Sequence, residues 1–384
     1  MKTKIAITSL ASLSPLGHTP DEIWNEYLSP KTLIAAKAFD GKEQLVATLP
    51  ERIRTEIQAL RNEDSKYKAL DETVLMAILT SRKAIADAGW QRGDDFGINI
   101  GSSRGATRLF EKHHLEFIET GKTATLSSPT TTLGNISSWV AHDLKSQGPE
   151  ISHSITCSTA LHAVLNAAAW LQSGMASKFL VGGSEAPLTP FTLAQMNALK
   201  IYAKENQAYP CRAFDLTKTK NSMVLGEGAA MACLELGEKQ NALGYISGIG
   251  FATDELEHNI SISEEAQCFQ KSMQMALKDT PLETVDAIVM HAPGTVKGDT
   301  SEYKAIQKVF GQPLPMLTTN KWKIGHTFGA SGILSMELAL LMMQHNTFIG
   351  VPFGETQLPR KDIKKVLINA VGFGGNAVSV LLTK

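Results

Sequence analysis

The stretch Glu150–Gly174, EISHSITCSTALHAVLNAAAWLQSG, constrains the chain most. Its opening, Ile151–Thr156, loosely alternates apolar and polar residues and includes β-branched side chains, so the spacing predicts a strand. From Cys157 on, small and apolar residues recur at helical spacing (Ala160, Leu161, Val164, Leu165, Ala168, Leu171) until Gly174 ends the run. A helix apolar on nearly all sides has to be buried. Cys157 falls at the junction, where helix-start N–H groups and the helix dipole favour a thiolate over a thiol. A lone cysteine is more often an inert buried residue, and on this stretch alone that reading prevails.

The rest of the chain repeats the same grammar. Strands are predicted at Lys4–Leu10, Phe96–Gly101, Phe179–Ser184, Met223–Leu236, Ala242–Ala252, Val285–Met290 and Met316–Thr319, with a closing hairpin of Val366–Val371 and Ala377–Leu382. Helices are predicted at Pro20–Leu28, Asp71–Gly89, Ile136–Leu144, Glu264–Lys278, Ser301–Phe310 and Gly329–Gln344, and residues 30–65 read as a mixed peripheral excursion. The Cys157 and Gly329 helices share a form, small residues first and then a long apolar body. Two similar α/β halves with two buried central helices follow, divided as 1–236 and 237–384.

Composition excludes several classes. A formal net charge of -1 over 384 residues gives no support for non-specific nucleic-acid binding. Cys157, Cys211, Cys233 and Cys268 are scattered without CxxC pairs, so neither a zinc site nor a disulfide framework is expected. The longest apolar stretch, Ile333–Met343, contains Glu337 and is too short to span a membrane. The broken apolar run at the N-terminus reads as a first strand and turn rather than a signal peptide. The expectation is a cytoplasmic α/β protein.

Three further segments carry candidate chemistry. Val285–Glu302 (VDAIVMHAPGTVKGDTSE) delivers His291 to the carboxyl end of a strand, followed by Thr295. Asn320–Gly332 (NKWKIGHTFGASG) sets His326 before a helix opening in small residues, with Lys321 five residues earlier. Gly372-Phe373-Gly374-Gly375 presents one aromatic ring on a flexible turn. Taken singly, a packed histidine, a solvated lysine, close helix packing and a hairpin turn account for each.

Taken together and in order, these segments resemble the β-ketoacyl-acyl carrier protein synthases, the condensing enzymes of fatty acid and polyketide synthesis. The resemblance runs from IAITSLASLSPLG (Ile5–Gly17) through Thr156-Cys157-Ser158-Thr159-Ala160, Phe214-Asp215 and Val224-Leu225-Gly226-Glu227-Gly228. It continues through Gly325-His326-Thr327 with Gly329-Ala330 and ends at Gly372-Phe373-Gly374-Gly375. One departure concerns the first histidine motif, where the family reads His-Gly-Thr-x-Thr and this chain reads His291-Ala292-Pro293-Gly294-Thr295. Matching Gly-Thr to Gly-Thr puts Pro293 at the histidine; an ungapped match from Gly298-Asp299 and Glu302 puts His291 there, and is preferred. Lys220-Asn221-Ser222 also stands where the family has Arg-Asp-Gly, and Asn376-Ala377 where it has Thr-Asn.

The resemblance implies a thiolase-like fold, a layered α-β-α-β-α core, and a site made of Cys157, His291, His326 and Lys321. Cys157 would accept an acyl group from a carrier-protein thioester, with an oxyanion held by the N–H groups of Cys157 and Phe373. Both neutral imidazoles would stabilise the enolate formed when malonyl carrier protein loses carbon dioxide. Lys321, partnered by Glu302, would orient the histidines; Thr295 would hydrogen-bond the pantetheine arm; Phe373 would gate the second substrate. No metal or redox cofactor is implied, only the phosphopantetheine arm of the substrate. The partners implied are acyl carrier protein and its acyl and malonyl thioesters, in a homodimer or a heterodimer with a similar subunit. Ile136, Trp139, Met196 and the 103–110 loop are candidates for the acyl pocket. The alternative is a non-catalytic chain-length-factor-like subunit, against which Cys157, His291 and His326 argue. A cysteine hydrolase would want a base oriented by Asp or Asn and water access, whereas this pocket reads as glycine-rich and apolar, and a thiolase would need a second catalytic cysteine in a C-terminal Cys-Gly context that Cys211, Cys233 and Cys268 do not match.

Overall fold

Two helices too apolar to face water find their place between two sheets. The structure is a computed structural model that describes residues 3–133, 135–255, 263–354 and 362–384. From the amino end, β1 (Ile5–Leu13) leads to α1 (Pro20–Leu28), the hairpin β2 (Ala35–Phe39) and β3 (Lys42–Ala47), then α2 (Glu51–Glu63) and α3 (Glu72–Asp87). There follow β4 (Gly97–Gly101), α4 (Thr107–Thr120), α5 (Ser127–Thr131), α6 (Asn135–Leu144), β5 (Glu150–Ile151) and α7 (Thr159–Ser173). Next come β6 (Lys178–Glu185), α8 (Pro190–Ala198), β7 (Leu225–Gly226) and β8 (Gly228–Leu236). The chain continues through β9 (Gly244–Thr253), α9 (Gln267–Ala276), β10 (Ala287–Val289), α10 (Val296–Phe310), β11 (Met316–Thr318) and α11 (Lys321–Ile324). It closes with α12 (Ser331–His345), β12 (Lys365–Gly372) and β13 (Asn376–Thr383).

One five-stranded sheet has the order β1-β8-β6-β4-β5, the other β11-β10-β12-β13-β9, and β2-β3-β7 form a small third sheet. Both large sheets are mixed. β4 pairs parallel with β5 and β6 while β8 is antiparallel to β1 and β6; β10 pairs parallel with β11 and β12 while β13 is antiparallel to β12 and β9. Helices α7 and α12 touch each other and both large sheets, α3 and α6 cover the first sheet, and α9 with α10 behind it covers the second. This is the α-β-α-β-α layering of the thiolase-like fold.

Small residues set how closely the layers approach. A Cβ on Gly332 would lie 2.7 Å from Leu161 Cγ, so this glycine lets α12 press on α7. One on Gly183 would lie 2.5 Å from the Gly329 carbonyl, so β6 accepts the start of α12 only with hydrogen there. Every residue of α12 from Ser331 to Met343 is buried, and its one carboxylate, Glu337, accepts from Ser12 Oγ at 2.7 Å. α7 is less enclosed than its sequence predicts: Leu165 and Asn166 are half-buried and Ala169 is exposed.

Several elements differ from the sequence expectation. The strand expected over Ile151–Thr156 pairs only at Glu150–Ile151. Beyond it side chains take the backbone's hydrogen bonds: Ser152 Oγ accepts from Ser137 N–H at 3.0 Å, and Thr159 Oγ1 accepts from Ile155 N–H at 2.9 Å. Residues 30–65 hold a hairpin and a helix, and Met223–Leu236 splits at Glu227 between the small sheet and the first large one. Helix α10 starts at Val296 because Thr295 caps it, five residues before the expected Ser301. Helices α4 and α8 were not anticipated.

Candidate active site

The turn carrying Cys157 is tied by its neighbours. Thr156 adopts φ +46°, a conformation costly for a β-branched residue. Thr159 Oγ1 holds it, donating to the Thr156 carbonyl at 2.6 Å, while Ser158 Oγ donates to Ile155 O at 3.0 Å. Ser331 Oγ, from the first turn of α12, donates to the Cys157 carbonyl at 3.3 Å and so joins the two central helices at the cysteine turn. Cys157 lies two residues before the first helical residue, Thr159, and is buried.

The thiol departs from the sequence expectation. Burial, and then the buried Glu185 carboxylate, push Cys157 up to about 12, against the pull of Lys321, its own backbone amide and Arg104. The position before the helix does not by itself yield a resting thiolate.

The turn between β12 and β13 lies against this segment. A Cβ on Gly372 would fall 2.0 Å from Thr156 Oγ1 and 2.6 Å from Ile155 O, so only glycine fits. The next residue, Phe373, is therefore at the Cys157 turn, exposed, and followed by Gly374 and Gly375 at φ +96° and +70°. The two N–H groups named from the resemblance come from segments in contact.

His291 follows β10 into a turn in which Ala292 has φ +26°. Glu302, almost two turns into α10, accepts from the N–H groups of His291 at 2.9 Å and Ala292 at 2.8 Å, and Asn369 Nδ2 donates to the same carboxylate at 3.2 Å. His326 comes from the opposite side, its N–H donating to Val224 O at 2.6 Å and its carbonyl accepting from Gly226 N–H at 3.1 Å. The rings meet edge to face, with centroids 5.3 Å apart and planes at 83°. Phe328, at φ +43°, packs on His326 at 5.5 Å and shares an apolar cluster with Cys157. It is thus His291, not Pro293, that faces the second histidine.

Burial holds both imidazoles well below the ordinary histidine value, reinforced by Lys321 and, for His291, by His326. Both are neutral, and in each Nδ1 is buried without a partner among the described residues. Lys321 is buried and lowered to about 8 by desolvation, with Glu302 the strongest opposing charge. Burial raises Glu302 to about 7. Among the described residues these two act through their fields rather than a direct ion pair, because both Glu302 oxygens are engaged by backbone N–H groups. Thr295 is half-buried, and its oxygen accepts from Gly298 N–H at 3.1 Å as the α10 cap, a task the sequence reading did not give it.

Other participants were missed. Lys218 and Asp299 form an ion pair at 2.5 Å with side chains 4% and 0% exposed, and Asp299 accepts from Gly294 N–H at 3.0 Å, bracing the His291 loop. Lys220, the position matched to the family arginine, instead pairs at the surface with Glu205. Asn221 Oδ1 accepts from Val296 N–H at 2.9 Å and Ser222 Oγ donates to Gly294 O at 2.9 Å, so this departure from the motif still clasps the loop. Of the acyl-pocket candidates, Met196 packs in the Cys157 cluster, whereas Ile136 and Trp139 belong to the core beneath α3. Nearby, a cleft of about 780 Å³ is lined by Lys200, Lys204, Arg212, Lys218 and Lys220 against the single carboxylate Glu205. The described residues offer no cluster of metal ligands and no helix long and apolar enough to cross a membrane.

A thiolase-like scaffold that carries a buried cysteine turn and a pair of buried, edge-to-face histidines is the build of a condensing enzyme. The chain belongs to the β-ketoacyl synthase family: residues 2–240 match its N-terminal domain and 243–351 its C-terminal domain. It is 27% identical to the 3-oxoacyl-[acyl-carrier-protein] synthase 2 of Coxiella burnetii, over 100% of this chain and 99% of that one. It is 26% identical to the enzyme of the same name from Staphylococcus aureus, over 98% and 97%. Among solved structures, the ishigamide ketosynthase/chain length factor superposes with a TM-score of 0.87 at 18% identity, covering 100% and 99%. A β-ketoacyl synthase from Burkholderia phymatum gives 0.85 at 22%, also covering 100% and 99%.

Proposed function

We propose that this chain is a β-ketoacyl-[acyl-carrier-protein] synthase of fatty acid or polyketide biosynthesis, with its catalytic parts divided between halves 1–236 and 237–384. The observation that carries the reading is a pair of edge-to-face neutral imidazoles within the field of a buried lysine, Lys321, that also acts on the buried Cys157 thiol.

In the first half-reaction Cys157 Sγ attacks the carrier-protein thioester. A new S–C bond forms, the old one breaks, and the thiol proton of Cys157 ends on the released carrier thiol. The N–H groups of Cys157 and Phe373 hold the tetrahedral oxyanion, and one such donor is worth about 2.7–4 kcal/mol. In the second, malonyl carrier protein loses carbon dioxide. His291 and His326 donate N–H to the enolate oxygen, and as neutral groups they do not quench it with a proton. The enolate carbon attacks the acyl carbonyl, the C–S bond breaks, and Cys157 leaves as a thiolate that takes up one proton from solvent to restore the thiol. Lys321 keeps the local potential positive while enolate charge develops. Thr295, its oxygen committed to capping, retains its hydroxyl hydrogen for the pantetheine arm, and Phe373 gates that arm's entry. The phosphopantetheine belongs to the substrate, not to a cofactor of this chain.

In the basic cleft Arg212, Lys218 and Lys220 are ion-paired with Asp215, Asp299 and Glu205, so it is Lys200 and Lys204 that suit docking of a carboxylate-bearing carrier protein. On α4, Phe110, Leu115, Phe117 and Ile118 are exposed, which fits a second thiolase-like subunit, identical or similar. A cytoplasmic setting goes with this reading. One observation favours the alternative, a non-catalytic partner subunit: the Cys157 thiol is pushed up rather than down.

Intact mass after incubation with acyl carrier-protein thioesters decides between them. An acyl adduct on the native chain, absent from Cys157→Ala, is expected, followed by condensation when malonyl carrier protein is added. A folded native chain that takes no acyl group of any length supports the partner subunit instead.

A further inference from the structure

The turn that carries Cys157 is held from outside by two histidines that the condensing reaction does not use. His153, between β5 and the turn, sets Nε2 3.0 Å from the carbonyl of Thr159, the first residue of α7, and Nδ1 2.9 Å from Asn99 Nδ2 on β4. Asn99 Nδ2 also donates to Ile151 O at 3.0 Å, and Asn166 Nδ2, on α7, donates to Asn99 Oδ1 at 3.0 Å. A carbonyl only accepts, so the two carbonyls fix every proton in this chain. Ile151 O makes the Asn99 nitrogen, not its oxygen, the atom beside His153, and Thr159 O requires the imidazole hydrogen on Nε2. His153 is therefore the neutral Nε2–H tautomer, with Nδ1 accepting. A second proton would set an Nδ1–H against the Asn99 N–H, and Asn99 cannot turn over without losing both Ile151 O and Asn166.

Thr159 carries this hold to the cysteine. Its Oγ1 accepts from Ile155 N–H at 2.9 Å and donates to Thr156 O at 2.6 Å. A Cβ on Gly101, at the end of β4, would lie 2.2 Å from Thr159 Cγ2 and 2.5 Å from His153 O, so the histidine and the helix start press on one strand end. His162 behaves differently: its Nδ1 donates to Ser158 O at 3.1 Å and keeps that hydrogen when the ring is charged. Among the described residues, the groups facing this cluster are Ser137 from α6, Ser102 from the loop after β4, Asn99 from β4, and Asn166 and His162 from α7; of these only His162 titrates. Both rings are half-buried, and desolvation holds both below the ordinary histidine value.

We propose that His153 is a proton-sensitive positioning residue for Cys157: as the neutral tautomer wired to Asn99 and Asn166 it holds the Thr159 end of the cysteine turn, and as the imidazolium it is driven off Asn99 and the hold is lost. The inference rests on the reading of Cys157 as the acyl acceptor. A freed ring has a value of about 6.5 and the held ring lies lower. Between the two the open turn binds more protons than the closed one, so it gains on the closed turn about tenfold for each unit that the pH falls.

The test is hydrogen exchange in the full chain, read by mass on the peptide around Ile155–Thr159 from about pH 5 to about pH 8 and divided by the intrinsic exchange rate. The N–H groups of Ile155, Ser158 and Thr159 are bonded within this turn and report its opening. In the native chain protection falls by up to about tenfold per unit below about pH 6.5. Asn99→Asp puts a carboxylate oxygen where the amide nitrogen stood, so the imidazolium keeps both of its bonds and protection stays level. His153→Ala is less protected at every pH and also level, whereas His162→Gln keeps the native slope. If Asn99→Asp fails to fold, His153→Gln, which has no ring to charge, is the level variant. A level native curve, or a slope that survives in His153→Ala or in the level variant, overturns the inference. Single-turnover acylation is the second readout: below about pH 6.5 the native rate falls relative to that of the level variant in step with its protection. Parallel rate profiles overturn the positioning role. A turn with these exchange curves on a chain that takes no acyl group refutes the acyl-acceptor reading alone, and a chain that takes acyl groups with level curves refutes this inference alone.

Discussion

Gly372→Ala tests the contact between the two segments that would build the oxyanion site. Gly372 is outside the left-handed region, so alanine is allowed by the backbone and space alone opposes it. The added carbon would lie 2.0 Å from Thr156 Oγ1, 2.6 Å from Ile155 O and 3.3 Å from Ser158 Oγ. Thr156 Oγ1 is buried and Ile155 O receives both Ser158 bonds, so neither yields without moving the cysteine turn. Overpacking of this kind costs about 1–3 kcal/mol of stability. The larger consequence falls on chemistry. If the Phe373 N–H is displaced from the oxyanion, acyl transfer slows about 10²–10³-fold. The assay is single-turnover acylation by intact mass, with denaturant unfolding alongside. A folded Gly372→Ala protein that acylates within threefold of the native rate refutes the argument. Gly374→Ala is the contrast: at φ +96° its penalty is backbone strain at the turn rather than a collision with the cysteine segment.

Lys321 titrates near 8, so condensation is expected to fall as pH rises through that value, when the positive charge is lost. Glu302→Gln removes the negative charge that supports it, and the alkaline limb of the rate profile should move to lower pH; an unmoved limb counts against Lys321 as its source. Because the folded lysine is depressed from 10.5 to about 8, the folded state binds fewer protons than the unfolded between those values, and this group's contribution to stability rises with pH across that window. Lys218→Met leaves Asp299 buried without its cation and should cost about 3–5 kcal/mol in denaturant unfolding; a loss under 1 kcal/mol would mean the pair is not buried as described. Lys200→Glu with Lys204→Glu should raise KM for carrier-protein substrates and flatten its salt dependence with kcat unchanged. An unchanged KM would move the docking surface elsewhere.

The sequence by itself determined the architecture and singled out the side chains proposed to react. A helix such as Ser331–His345, apolar on every face, admits no solution but burial between layers, and the strand–helix alternation supplies those layers. Cys157, His291, His326 and Lys321 were legible because each stands in a short motif whose neighbours are small. Local pattern could not reach what depends on segments far apart in the chain. The strand expected over Ile151–Thr156 dissolves because Ser152, Ser158 and Thr159 satisfy or engage the backbone themselves. Thr295 is a helix cap because Gly298 follows it on α10. Glu302 holds two backbone N–H groups rather than Lys321 because the His291 turn folds over its carboxylate. The thiol's acidity was expected from the helix start, but burial and Glu185 outweigh that. A motif records which groups are present, whereas desolvation and field depend on everything packed around them, and only the tertiary structure brings Glu185, Lys321 and Cys157 into one another's range.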